Sequence, residues 1–313
     1  MIPAIHSKTV RFFLAAALAM PVFAQTSGSG TTTSPATNQF VAFDRPEAWA
    51  LKYFTSASIL SGLQPPDASP EARRFGSITV GMELGWIPEL SREQQNVGFN
   101  GRAFNDLNQA PILARPSIRV GLPAKFTVLA AAPAPFRVFG VTPHLLALGV
   151  ERPLVDRGPW RIGWRASGQV GHVKGAFTCP RSVLGFTPGS PDNPGRCVAE
   201  SHDVATLRYI GTEFQFSRRI GSKWVPHAAS GINWMAGATQ VHALVTRGMD
   251  NNRLWTHGKI WTESAGVSYL FSPRVTLTVD AFYAPLSVRR TAASARENDG
   301  LFNVRALVSY AFR

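Results

Sequence analysis

Charged residues in this chain recur on one parity of alternating segments. Glu83, Glu151, Glu213 and Asp280 each stand on the polar parity of a stretch whose other parity is apolar, and so do Arg119, Arg161, Arg165 and Arg305. Folding neighbouring stretches symmetrically about their connections sets Glu83 opposite Arg119, Glu151 opposite Arg161 and Glu213 opposite Arg165. Asp280 falls diagonal to Arg305. An ion in a narrow, poorly hydrated space is costly unless it is paired. Two chemistries therefore fit: a closed network of ion pairs, or an arginine-rich lining that favours anions.

Histidines form a second set. His144, His172, His202, His242 and His257 fall at or near one end of the predicted segments, with Glu200, Asp203 and Asp250 beside them, while His227 falls near the other end. Imidazole with a carboxylate can activate water, and such a set can also hold a divalent metal. No HExxH or GxSxG spacing supports either use, and no GxGxxG precedes a helix. The expectation is no catalytic residue, no metal and no cofactor, with a histidine/carboxylate hydrolase at the rim kept as an alternative. Cys179 and Cys197 bracket "CPRSVLGFTPGSPDNPGRC". In an oxidising compartment two cysteines closing one loop read as a disulfide, and a metal site would need more ligands.

The elements that must position these residues are strands. "SITVGMELGW" sets Ile78, Val80, Met82, Leu84 and Trp86 against Ser77, Thr79, Gly81, Glu83 and Gly85. "WRIGWRASGQV", "VTLTVDAFY" and "LFNVRALVSYAF" alternate in the same way, and six further segments bring the count to ten. A soluble sandwich would also alternate, with its polar face toward water. Three features favour the inverse arrangement, an antiparallel up-and-down β-barrel in lipid. The polar parity is rich in Gly, Ser and Thr, small enough for a narrow lumen. Aromatic residues mark the strand ends as an interfacial girdle: Trp86, Trp160, Trp224, Trp261, Tyr269, Phe271, Tyr283, Tyr310 and Phe312. Short connections (Leu122–Lys125, Pro153–Pro159, Arg219–Lys223, Ser272–Arg274) take turns with long ones (Ile87–Arg115, Ala134–Pro143, Lys174–Val204, Gly237–Gly258, Leu286–Gly300).

The N-terminal part divides by composition. Residues 1–24 read as a signal peptide: Lys8 and Arg11, an apolar "FFLAAALAM" too short to span a bilayer, and a small-residue cleavage site near Ala24. Residues 25–45 read as a disordered polar linker. Residues 46–75 form an N-terminal segment, with Pro46–Leu60 as a short helix that packs at the periplasmic mouth or enters the lumen. Residues 76–313 are the barrel. Two extra N-terminal strands would make it twelve-stranded, which is the alternative.

Together these features resemble the Gram-negative outer-membrane β-barrel proteins over residues 76–313. The resemblance is to a class, and no motif selects a functional family within it. It implies an outer-membrane location, contact with lipid and lipopolysaccharide, and a C-terminal strand read by the assembly machinery. In that class the last residue is typically Phe; here Phe312 is followed by Arg313. Some ten-stranded members are proteases with acid and histidine residues at the external rim. The net charge of +13 in an exported chain points to anionic headgroups or lipopolysaccharide phosphates rather than nucleic acid. Arg208, on the lipid-side parity, is placed to meet such a phosphate or to extend to the interface without one. The expected function is that of a non-enzymatic structural or surface-exposed barrel plugged by Arg/Glu/Asp pairs. The alternative is a narrow, anion-preferring, porin-like channel.

Overall fold

The computed structural model describes residues 37–61, 75–291 and 293–312. The predicted signal peptide, most of the polar linker and Arg313 lie outside the described residues. Ten strands build the wall: β1 (Ile78–Trp86), β2 (Ile112–Gly121), β3 (Thr127–Ala131), β4 (Thr142–Arg157), β5 (Trp160–Gly175), β6 (Asp203–Arg218), β7 (Trp224–Gln240), β8 (Arg253–Leu270), β9 (Val275–Ala284) and β10 (Leu301–Phe312). Each pairs antiparallel with its sequence neighbour, and β10 pairs back onto β1, from Val304 opposite Trp86 to Phe312 opposite Ile78. The sheet is closed. Closure removes the free strand edges that would otherwise template aggregation.

The inverse patterning holds around the ring. On β10, Phe302, Val304, Ala306, Val308, Tyr310 and Phe312 are exposed, whereas Leu301, Asn303, Arg305, Leu307, Ser309 and Ala311 are buried. Ile210, Phe214 and Trp224 are likewise exposed on β6 and β7, and Glu213, Gln215 and Asn233 are buried there. At one end the strands join by short turns. Between β4 and β5 only Gly158 and Pro159 intervene, and Gly158 takes a φ of +57° that a side chain would resist. At the other end long loops rise. The longest, between β5 and β6, is stapled by the disulfide Cys179–Cys197, whose Cα atoms lie 5.5 Å apart.

One helix, α1 (Pro46–Ser58), stands inside the ring. Pro46 opens it and Glu47 sits in its first turn, where the positive helix end favours an acid. Its apolar residues cover all sides because wall surrounds it on all sides. Trp49, Leu51, Tyr53 and Ile59 pack against Leu145, Leu207, Met235, Ile260 and Phe282. This packing is the barrel's interior core, and its helical segment is why the wall has ten strands rather than twelve.

The chain enters α1 from the long-loop end. Asn38–Phe40 pairs in parallel with Arg253–Trp255 at the top of β8, so this part of the predicted linker is ordered. β9 covers β8 only from Glu263 to Leu270. The upper part of β8 would leave that edge bare, and the short parallel strand covers part of it.

Candidate functional site: the occupied lumen

The lumen charges cluster around the C-terminal end of α1. Arg115 pairs with Glu83 at 2.6 Å, both buried, and its other nitrogen donates to the Ser58 carbonyl. Arg165 lies between two carboxylates, 2.8 Å from Glu151 and 2.9 Å from Glu213. Arg119 reaches Glu151 at 3.3 Å. Glu213 also accepts the Ser61 hydroxyl at 2.6 Å. Arg305 is fully buried and donates to the carbonyls of Ile59 at 2.7 Å and of Ser56 and Ser61 at 3.4 Å. Its guanidinium stacks 4.0 Å from the Phe282 ring centre. The last carbonyls of a helix have no intrahelical partner and carry the negative end of its dipole. Arg115 and Arg305 satisfy those of α1 with charged donors.

Several predicted pairings shift. Glu213 and Arg165 do meet. Glu83 faces Arg115 rather than Arg119, because β2 begins at Ile112 and the loop before it is not symmetric. Glu151 faces Arg165 rather than Arg161, because β4 runs on to Arg157 with an irregularity between Pro153 and Val155. Arg161 instead meets Asp156, its ladder partner beside the β4–β5 turn, at 3.0 Å. Asp280 lies directly opposite Arg305 in the ladder, yet its carboxylate meets His227 at 3.3 Å while Arg305 turns to α1. Arg115 is the functional residue that the sequence reading missed. Its segment "ILARPSIRVG" alternates through Pro116 once that proline is assigned to the outward parity.

Higher up, Lys52 on α1 donates to the Ser287 carbonyl and lies 4.6 Å from the Phe43 ring centre. Burial lowers its pKa to about 8. Burial also pushes the Tyr53 phenol upward; its hydroxyl donates to the Pro88 carbonyl at 2.9 Å. Between α1 and the long loops a cavity of about 340 Å³ remains, lined by Ala50, Phe54, Phe99, Leu107, Phe177 and Val241.

The rim histidines fall into separate groups. His144 and His172 stack at 5.0 Å on the outer face of the wall. His257 packs against Phe40 there, at 5.5 Å. His242 meets the Asn251 side chain at 2.8 Å, while its main-chain N–H donates to the Asp203 carboxylate at 3.0 Å and its carbonyl accepts the His202 N–H at 2.9 Å, so these three meet through main chain rather than ring to carboxylate. Among the described residues no group of three or more His, Cys, Asp or Glu side chains is arranged to hold a metal.

The outer face completes the geometry. At the short-turn end Trp160 packs on Phe216 at 5.2 Å, Trp224 on Tyr269 at 4.7 Å and Tyr310 on Phe312 at 4.9 Å, with Phe271 exposed beside them. Trp86, Trp261 and Tyr283 lie toward the long-loop end. Between the two aromatic levels the exposed residues are almost entirely Val, Ile, Leu, Phe and Ala, the pattern of a wall solvated by hydrocarbon. The chain is a closed ten-stranded β-barrel with the outer face of a membrane-spanning one. Its sequence matches no family model and no curated protein. Solved structures similar in fold include the outer-membrane protease OmpT of Escherichia coli, at 9% identity and a TM-score of 0.38, covering 76% of this chain and 94% of that one. They also include Ail, the attachment invasion locus protein of Yersinia pestis (10%, TM-score 0.30, covering 76% and 100%). A third is the N-terminal β-barrel domain of Pseudomonas aeruginosa OprF (9%, TM-score 0.29, covering 76% and 98%).

Proposed function

We propose that this outer-membrane barrel is a non-enzymatic, surface-exposed protein whose lumen is held shut by its own segment 37–61. The observation that carries this reading is the use of Arg115 and Arg305. Both are buried, and both donate to carbonyls at the end of α1 instead of lining an open passage. Ten strands enclose little more room than the eight that side chains alone can fill. A helix with Trp49 and Tyr53 therefore takes up the long-loop half of the lumen. Planar-bilayer recording tests the idea: the intact protein is expected to give no steady conductance steps, and Arg115→Ala/Arg305→Ala is expected to give openings. Steady ion flow through the intact protein would sink it.

A second reading is favoured by one observation. If α1 withdraws, Arg115, Arg165 and Arg305 face the passage, and the protein becomes an anion-preferring channel gated by its own plug. Openings driven by voltage should then prefer anions, and Arg165→Ala should reduce that preference. Openings without ion preference argue against it. The rim hydrolase gains no support from the one pair of rim histidines whose rings meet, His144 and His172, since among the described residues no carboxylate bonds to either ring.

A further inference from the structure

Charges inside the barrel are partnered, whereas a set outside it is not. On the outward parity of β5 to β8 stand Lys174, Arg208, Arg253 and Lys259, all exposed, accompanied by His172 and His257. Among the described residues none of the four cations has a carboxylate within 4.0 Å, and Lys259 instead lies 6.0 Å from the Trp234 ring centre. One acid shares the flank. Glu263 lies four residues below Lys259 on the same face, accepting the Trp261 indole N–H at 3.3 Å.

The height of the set identifies its surroundings. His172, Arg208 and Lys259 stand roughly ten to twelve residues above the short-turn ends of their strands. At ~3.3 Å per residue and a tilt of about 40°, that is about 25–30 Å along the barrel axis. The apolar band of such a barrel is about 25 Å tall. These residues therefore sit at the headgroup level of the outer leaflet, with Lys174 about 5 Å higher and Arg253, six residues beyond Lys259 on β8, about 15 Å higher. The set is also confined to one flank. At the comparable level of β9, β10, β1 and β2 the outward residues are Tyr283, Phe302, Trp86 and Ile112. The ladder fixes the spacing: Arg208 and His257 both pair with Ala236, one on each side. They therefore stand two strand spacings apart, about 10 Å, across a residue too small to fill the gap.

We propose that this flank binds the phosphates of a lipid A glycolipid in the outer leaflet. Arg208 and Lys259 are the contacting cations, and Trp234, opposite Lys259 in the ladder, lies beside the sugar. Two phosphates on one disaccharide suit Arg208 and Lys259, which flank β7 on its two sides, Arg208 opposite Ala236 and Lys259 opposite Trp234, and a phospholipid with a single phosphate engages them one at a time. Charge-assisted bonds from guanidinium to phosphate supply the attraction, and a basic cluster next to a membrane surface gains roughly equal increments per cation.

The full-length protein in neutral detergent micelles is titrated with lipid A or with phosphatidylglycerol, and bound lipid is counted by native mass spectrometry. The wild type is expected to prefer lipid A about tenfold or more, with affinity falling as salt rises. Arg208→Gln/Lys259→Gln is expected to lose about tenfold or more for lipid A, while Arg218→Gln at the opposite rim leaves it unchanged. Should the double variant fail to insert, the two single variants serve, each expected to lose about fivefold. Equal binding of the two lipids by wild type, or variants on this flank that bind lipid A like wild type, would overturn the proposal.

Discussion

Arg305→Ala removes the side chain that ties the closing strand to the plug. The residue is fully buried and donates to three carbonyls at the end of α1, the shortest bond being 2.7 Å to Ile59. A hydrogen bond from a charged donor contributes about 1.5–3 kcal/mol, and a buried acceptor left bare costs a further increment. Water entering the space of the lost guanidinium recovers part of this. Anchoring of α1 should weaken by about 3–5 kcal/mol. At about 1.4 kcal/mol per decade, α1 would open roughly a hundred to a few thousand times more often. Hydrogen exchange followed by mass spectrometry, with the protein in lipid nanodiscs, reads this over Pro46–Ser58. The barrel itself should persist, since β10 keeps both ladder neighbours, and the heat-modifiable gel shift should remain. Arg305→Lys keeps the charge but not the fork, and should fall between. If protection of α1 changes by less than about twofold while the barrel stays intact, Arg305 is not an anchor and the closed-lumen argument loses its main support.

Arg165→Ala strips the partner from two buried carboxylates, Glu151 and Glu213, and should cost about 3–5 kcal/mol in a denaturant titration of folded barrel. Arg161→Ala, whose partner Asp156 is far more accessible, should cost under about 1 kcal/mol, so equal losses would contradict the burial ranking. Lys52 gives a pH prediction. Its folded pKa is lowered to about 8 from 10.5, so between those values the unfolded chain holds the extra proton and stability rises with pH. An environment-sensitive label attached to α1 and followed in urea should therefore show α1 docking more tightly as pH climbs through that window, and Lys52→Met should flatten the trend. Cys179→Ser opens a loop closed across 18 positions. It should loosen that loop by about 3 kcal/mol and speed its proteolysis, and a lowered barrel unfolding transition would show that the staple reaches further than the loop.

The wall was legible in the sequence because its signal is simple. Period-two alternation with Gly, Ser and Thr inside and aromatic residues at the strand ends has one physical cause, a hydrocarbon solvent outside and a narrow lumen inside. The lumen was only half legible. That Glu83, Glu151, Glu213 and Arg165 face inward follows from parity, which no register shift of two residues can change. Which partner each one meets depends on register. Register depends on features without a short sequence signature: the irregularity after Pro153, and a strand start at Ile112 hidden by Pro116. The role of Arg305 was illegible for a different reason. Its partners are carbonyls of a distant helix, and main-chain acceptors leave no trace in residue types.

That helix also constrains how the barrel is made. Asn38–Phe40 lies at the long-loop end, Ser61 lies deeper, bonded to Glu213, and β1 begins at the short-turn end with Ile78. Residues 38–61 therefore run from the long-loop end into the lumen, ahead of a first wall strand that starts at the opposite end. β10 can seal onto β1 only with this segment already inside, or else the segment must be drawn through a finished ring lined by buried arginines. The first order is physically easier. Arg115 and Arg165, on strands made before β10, can gather the acids and the Ser58 carbonyl, leaving Arg305 to add the last contact as the seam closes. A pulse-labelling experiment during assembly separates the two orders. Protection of α1 should arise together with the β10–β1 seam, and protection that lags well behind a closed, heat-modifiable barrel would instead mean that the plug threads in afterwards.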